Sequence, residues 1–181
     1  MKRVLLFFVL LGLSSCEEKS PDPEPSIYTG EATAFKNGAE WSASVYFDLI
    51  PDEFGNFLFR ANVYNEQGFW RETLSVRRIR LGFDVQVILS KDVQNADSLS
   101  SSYGTLIDDG DVAGDIYELN TEVADNYIQI TSVDSTRLQV SGIFNVSFVL
   151  SRKGNDSIDP PEEITLSNGT FSSTMKKEWF E

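Results

Sequence analysis

The chain has 181 residues and a formal net charge of −13, with 28 acidic residues against 15 basic ones. Histidine is absent and there is a single cysteine, which excludes Ser-His-Asp and Cys-His nucleophile systems, His-ligated zinc and an internal disulfide. The acidic balance also disfavours nucleic acid as a partner, because a nucleic-acid site needs clustered positive charge. No cofactor is therefore expected, although a carboxylate pair of the glycosidase type remains possible.

The first fifteen residues have the layout of a secretory signal peptide. Lys2 and Arg3 form a positive start, and residues 4–13 form an apolar stretch that is too short to span a bilayer of about 30 Å. Ser14 and Ser15 then precede Cys16, and this ending resembles the lipobox of bacterial lipoproteins, in which the cysteine is acylated and becomes the mature N-terminus. We predict a signal peptide over residues 1–15 and a lipid anchor at Cys16; an ordinary signal with an incidental cysteine is the alternative.

Residues 16–26 are predicted to form a tether between the lipid and the domain. The segment EEKSPDPEPS after Cys16 is acidic and rich in proline, so it cannot bury a core and should stay extended. Its acidity resembles the surface-export signal of Bacteroidota lipoproteins. The expected location is therefore the outer membrane on the cell surface, with the periplasmic face as the alternative.

Residues 27–181 are predicted to form a single antiparallel β domain, because apolar and polar residues alternate with a period of two. About nine strands joined mostly by short turns favour a meander that forms a barrel-like sandwich, with lipocalin-like closure as a possibility. The clearest predicted apolar faces are Trp41, Ala43, Val45, Phe47 and Leu49; Phe57, Phe59, Ala61 and Val63; Ile79, Leu81, Phe83, Val85, Val87 and Leu89; and Leu138, Val140, Phe144, Val146, Phe148 and Leu150.

Turn residues separate these runs. Asn37-Gly38 predicts a tight turn, and residues 134–136 predict a hairpin loop. Residues 90–102 are rich in serine, aspartate and asparagine, which favours a loop or one helical turn. The apolar parity changes between Leu166 and Phe171, and a bulge at Asn168-Gly169 would explain the change.

Three motifs in this order resemble a family of small Bacteroidota lipoproteins that contain a domain of unknown function. They are Phe35-Lys36-Asn37-Gly38-Ala39-Glu40-Trp41, Val140-Ser141-Gly142-Ile143-Phe144 and Ser167-Asn168-Gly169-Thr170-Phe171. The resemblance covers residues 27–175. The chain departs from the family pattern at Ile143, where threonine is usual, and in an insertion that contains Pro160-Pro161. Because the family has no assigned activity, the resemblance implies a fold and a location but no catalytic residues.

Four groups of residues are candidate sites, each with a simpler structural interpretation. Two are charged: an acidic group that suits calcium or a solvated hairpin tip, and a basic group that suits an anion or cross-strand pairing. The third is aromatic and suits sugar stacking or the core, and the fourth comprises serines in Asp-Ser sequences that resemble O-glycosylation acceptors or ordinary turns. The groups are Asp108, Asp109, Asp111 and Asp115; Arg77, Arg78 and Arg80; Trp41, Trp70, Trp179, Tyr64 and Phe69; and Ser98, Ser135 and Ser157.

We therefore predict a binding or structural module rather than an enzyme, held to a membrane at Cys16. Its expected partner is a glycan or a surface protein, and it is expected to be a monomer. A lipocalin-like carrier of an apolar ligand and a carboxylate-based hydrolase of glycans are the alternatives.

Overall fold

The computed structural model describes residues 30–50, 56–90, 98–155 and 157–175, so the predicted signal peptide, Cys16, the tether and Trp179 lie outside the described residues. Within these ranges there is no helix of the length and apolar character needed to cross a membrane. The described residues form ten strands: β1 Gly30–Lys36, β2 Ala39–Leu49, β3 Phe57–Tyr64, β4 Trp70–Ile79, β5 Gln86–Val87, β6 Ser100–Ile107, β7 Val112–Leu119, β8 Tyr127–Asp134, β9 Gln139–Arg152 and β10 Glu163–Thr174.

Eight of these strands close into an antiparallel barrel. The order around the wall is β10, β1, β2, β3, β4, β6, β7 and β9, and β9 pairs again with β10 to complete the ring. Strands β8 and β5 are additional, with β8 paired to β9 and β5 paired to β8. The predicted all-β fold is confirmed, and its sheet closes as a barrel.

The two ends of the barrel are made by different connections. At one end, here the Asn37 end, lie the β1–β2, β3–β4 and β6–β7 turns and the loop that joins β9 to β10. At the other, here the cleft end, lie the connection from β4 to β6 and the β8–β9 hairpin. The chain also enters the described barrel at Gly30 and leaves it at Met175 on the cleft end.

Strand β9 is long enough to pair with two strands in succession along one edge. Its first half pairs with β8 and its second half with β7, so these two strands cover different heights of the same wall. Asn126 fills the junction between them. Its side chain accepts the Ser147 amide at 2.8 Å and donates to the Asn120 carbonyl at 2.7 Å, which satisfies backbone groups that neither strand reaches.

In the β9–β10 pair, two glycines lie opposite two phenylalanines. Gly142 lies opposite Phe171, and Gly169 lies opposite Phe144. A Cβ atom on either glycine would lie 2.5 Å from the facing ring, so each ring occupies the space that a side chain would need. The predicted bulge is confirmed here, because the pairing shifts between Leu166 and Gly169. The motifs at residues 140–144 and 167–171 therefore lie side by side in one strand pair, β9–β10.

Aromatic rings fill the interior. Phe59 lies 4.8 Å from Phe171 and 5.6 Å from Phe144 between ring centroids, and Tyr103 lies 5.7 Å from Phe148. The predicted burial of Phe144 and Phe148 on one face is confirmed. An interior packed in this way stabilises the barrel.

The expectation of one long strand with a buried face from Ile79 to Leu89 is wrong. Strand β4 ends at Ile79, and the next strand, β5, has only two residues. Arg78 has a φ of 67° and forms a bulge against β3, after which the chain turns out of the wall. The predicted apolar residues beyond Ile79 are exposed, and Ile88, of the opposite parity, is buried in their place. The predicted loop at residues 90–102 is also too long, since β6 begins at Ser100.

The glycine–phenylalanine pairing predicts the effect of adding one methyl group. Gly142→Ala and Gly169→Ala should each lower the free energy of unfolding by about 1–3 kcal/mol, because the new Cβ overlaps a buried ring. Gly82→Ala is the matched control, since no heavy atom lies within 4 Å of a Cβ at that position. Chemical denaturation measures all three, and equal stability of the three variants would contradict this account of the strand pair.

Candidate functional site

An open cleft of about 860 Å³ lies at the cleft end, beside the segment that leaves the wall after β4. Its volume is in the range of small-molecule sites. One part of its lining is apolar and another carries two guanidinium groups, a carboxylate and amides. The lining residues are Asn56, Arg78, Arg80, Leu81, Gly82, Asp84, Val85, Gln86, Val87, Leu89, Ser98 and Leu99.

Arg78 and Arg80 supply the positive charge of the cleft. The bulge at Arg78 turns this residue towards Ser98, and Arg78 Nη1 donates to the Ser98 carbonyl at 3.5 Å. Arg80 is exposed, and among the described residues no carboxylate forms an ion pair with it. Both arginines line the cleft whereas Arg77 does not. An exposed guanidinium beside an apolar wall is suited to a carboxylate or phosphate.

Side-chain hydrogen bonds from two glutamines hold the backbone of the loop that carries the apolar lining residues. The Arg80 amide donates to Gln86 Oε1 at 2.9 Å, and Gln86 Nε2 donates to the Arg80 carbonyl at 2.8 Å. This reciprocal pair closes the segment between the two residues into a loop. Gln129 of β8 adds a third bond from its Nε2 to the Phe83 carbonyl at 2.8 Å. The side chains of the loop are thus presented by an ordered backbone even though they lack a packed partner.

The four aspartates of the acidic group do not converge. Asp108, Asp109 and Asp111 lie on the exposed tip of the β6–β7 turn, where a hydrogen bond and repulsion from Asp109 raise the pKa of Asp111. Asp115 is buried on β7, and its carboxylate accepts the Gly154 amide and the Ser157 hydroxyl, both at 2.9 Å. Asp115 therefore fastens the β9–β10 loop, and the described residues contain no cluster of three or more potential metal ligands.

The aromatic residues are also divided between roles. Trp41 is buried in the barrel, as its core interpretation predicted, and Trp70 is half-buried with its indole nitrogen bonded to the Glu72 carbonyl at 2.8 Å. Tyr64 and Phe69 are exposed beside the β3–β4 turn at the Asn37 end. The group is therefore divided between buried Trp41 and three residues at the β3–β4 turn, Tyr64, Phe69 and Trp70.

The three candidate glycosylation serines differ in access. Ser135 is exposed at the tip of the β8–β9 hairpin, whereas Ser157 is half-buried against Asp115. The Ser98 hydroxyl is enclosed and has no hydrogen-bond partner within the described part of the chain. Of the three, Ser135 is the one that a modifying enzyme could reach most easily.

A polar cluster centred on Glu72 is a feature that the sequence interpretation missed. Its carboxylate forms an ion pair with Lys36 and accepts the Trp41 indole N–H at 2.9 Å and the Tyr103 hydroxyl at 2.5 Å. Burial alone would raise the pKa of Glu72, but Lys36, Tyr103 and Trp41 together hold that pKa below its ordinary value. The carboxylate is thus kept ionised and fully engaged. Burial and the nearby Glu72 charge raise the pKa of Tyr103.

Comparison with known proteins found no matching family model, no matching curated protein and no matching solved structure. The geometry of the site is that of a cleft with cationic and apolar walls at the mouth of the barrel.

The depressed pKa of Glu72 predicts a pH-dependent contribution to stability. Glu72→Gln should lower the free energy of unfolding at pH 7 by about 1–3 kcal/mol, because the charged hydrogen bonds are lost. The carboxylate stabilises the fold above its ordinary pKa of 4.5, and this stabilisation is lost as the pH falls through the lower folded value. The difference in the free energy of unfolding between wild type and Glu72→Gln should therefore decrease below about pH 4.5, as measured by denaturation at each pH. Exposed Glu66 is the control, and Glu66→Gln should leave the curves unchanged.

Proposed function

We propose that this protein is a lipid-anchored binding module that takes an amphiphilic anion in the cleft beside Arg80. Its place in the cell is the outer membrane, at the cell surface, with acylated Cys16 as the attachment. Membership of the Bacteroidota lipoprotein family that its three motifs resemble is part of the same proposal. The observation that supports the choice of ligand is the pairing of Arg78 and Arg80 with an apolar wall in one cleft.

The two walls favour different parts of such a ligand. A guanidinium forms strong, charge-assisted bonds with a carboxylate or phosphate. Leu81, Val85, Val87 and Leu89 offer apolar surface to an alkyl chain, and each square ångström of apolar area removed from water contributes about 25 cal/mol. A neutral or cationic chain of the same length would gain the apolar contribution alone. Selectivity for the anion is therefore expected.

The cleft also separates this proposal from the two alternatives. A carrier of the lipocalin type needs an empty interior, but Phe59, Phe144 and Phe171 occupy the barrel. A hydrolase needs a carboxyl group with a raised pKa in its cleft. Within the described chain, the carboxylates of Glu72 and Asp115 accept hydrogen bonds away from the cleft, and the described cleft lining holds one carboxylate, Asp84, where a glycosidase uses two. Binding at the mouth is the use that this arrangement supports best.

The anchor is tested by mass spectrometry of the protein recovered from membranes. The mature chain should begin at Cys16 and carry acyl chains, and the acyl mass should be absent from a Cys16→Ala variant. More than one acyl chain is expected, because each buried CH₂ contributes about 0.8 kcal/mol and a single chain gives only marginal attachment. A mature N-terminus elsewhere, or an unmodified cysteine, would disprove the anchor.

The ligand site is tested with dodecanoate as the probe and calorimetry as the measurement. Fragment 27–181 contains every described strand and the complete described core, so it should fold without the anchor. It should bind dodecanoate, and Arg80→Gln should weaken the affinity about tenfold, equivalent to about 1.4 kcal/mol.

Two controls define the outcome. Arg152 is exposed at the Asn37 end, and Arg152→Gln should leave dodecanoate binding unchanged. Dodecanol should bind wild type and Arg80→Gln equally, because it lacks the charge that Arg80 recognises. If dodecanoate does not bind, or if Arg80→Gln and Arg152→Gln bind it equally well, the cleft is not the proposed anion site.

A further inference from the structure

Exposed apolar side chains are concentrated at one place on the barrel. Of the eleven large apolar residues that are exposed in the described chain, five lie within residues 81–89. Phe83 is 62% exposed and Leu89 is 71% exposed. Phe83 does not line the cleft, so ligand binding there gives no reason for its exposure. Contiguous apolar exposure of this kind is typical of a surface that contacts another apolar phase.

The loop that carries these side chains is held outwards by hydrogen bonds. Gln86 joins its two ends through Arg80, and Gln129 bonds to the Phe83 carbonyl. Side chains that were exposed only because the backbone was loose could fold back onto the barrel. Here the backbone is fixed by three bonds at 2.8–2.9 Å, which keeps the Phe83 ring away from the core.

The position of the chain termini indicates what this surface meets. The described chain begins at Gly30, at the cleft end, and residues 17–29 can span roughly 45 Å at most. A chain anchored at Cys16 therefore joins the barrel at its cleft end. This attachment rests on the proposed function, whereas the exposure of Phe83 is independent of it.

The Asn37 end is the more acidic of the two among the described residues. Its turns carry Glu66, Asp108, Asp109 and Asp111, whereas Arg77, Arg78 and Arg80 flank the apolar loop at the cleft end, with Asp84 inside the loop. Arginine beside exposed apolar residues is the composition of a surface that lies in the headgroup region of a bilayer. The acidic end would be repelled from the same membrane.

We infer that the cleft end of the barrel docks on the lipid bilayer, with Phe83 inserted at the interface between headgroups and acyl chains. The occupant of this surface is thus the membrane that carries the anchor. The cleft then opens towards the bilayer.

The first test uses fragment 27–181, which has no lipid, and vesicles of phosphatidylethanolamine with phosphatidylglycerol. Co-sedimentation should show weak binding that Phe83→Asp reduces about tenfold or more, because a charge replaces an apolar ring at the interface. Ile158 is the matched control, since it is 94% exposed at the Asn37 end and Ile158→Asp introduces the same charge. Thermal unfolding should confirm that both variants fold.

The second test uses the full acylated chain in the same vesicles. An environment-sensitive dye is attached at Phe83→Cys or at Ile158→Cys, and acylated Cys16 leaves no other thiol to react. The emission should shift to shorter wavelength at position 83 only. Labelling of the wild-type chain would show that the anchor proposal has failed, which is a different result from an unshifted dye at position 83.

Three outcomes would overturn the inference. They are vesicle binding that Phe83→Asp and Ile158→Asp affect equally, dyes at the two positions that emit alike, and a dimer in sedimentation velocity that Phe83→Asp dissociates while vesicle binding stays unchanged. The last would assign the loop to a second copy of this chain. Because Phe83 lies outside the cleft lining, dodecanoate binding should survive Phe83→Asp, so this inference and the ligand proposal can fail separately.

Discussion

The fold depends on the close pairing of β9 with β10, which closes the barrel. When the barrel closes, β9 and β10 come together, and at two positions the facing residues would collide if both carried side chains. Gly142 and Gly169 remove two side chains from the wall, and Phe171 and Phe144 use the space that results. The glycines weaken their strands in isolation, but the rings that cover them restore the buried apolar contact. The two glycine–phenylalanine contacts therefore allow the barrel to close and also fill its interior.

A filled interior determines where a ligand site can form. The eight-stranded wall encloses little more than its own side chains, and aromatic rings occupy that space. The described cleft lies outside that interior, at the cleft end, where the chain leaves the wall after β4 and returns to it at β6. The chain that crosses this region turns outwards at Arg78 and thereby forms the cleft.

The sequence predicted the parts of the fold that depend on local pattern. Alternation identified the faces that bury Phe59 and Phe144, and the change of parity around Asn168 located the bulge. The same rule failed after Ile79. Alternating apolar residues show that one face is apolar, but not that another element covers it, and the positive φ of Arg78 is not visible in a periodic pattern.

The candidate site was predictable only in part. The sequence placed Arg78 and Arg80 among the candidate residues, but Arg78 is the bulge residue and Arg80 lies beyond the end of β4, so strand parity does not explain why both line the cleft. The Glu72 cluster could not be predicted in this way, because Lys36, Trp41 and Tyr103 lie 31 to 36 residues from Glu72 and on other strands. Such contacts depend on barrel closure. The open cleft also combines residues that are distant in sequence, since Asn56 and Leu99 line it together with residues between Arg78 and Leu89.

The two ends of the barrel differ in how their side chains are paired or exposed. At the Asn37 end, three ionic groups find partners within the fold: Lys36 and Glu72 pair, and Asp115 fastens the β9–β10 loop. The Asn37 side chain also bonds to β10, with Nδ2 donating to the Glu163 carbonyl at 3.0 Å, so the tight turn is fixed to the wall. At the cleft end, exposed apolar residues and Arg80 are held in position by backbone bonds instead. An ordered loop with exposed side chains offers a partner both apolar surface and charge. This difference is the physical reason for assigning both the ligand and the membrane to the end at which the chain enters the barrel.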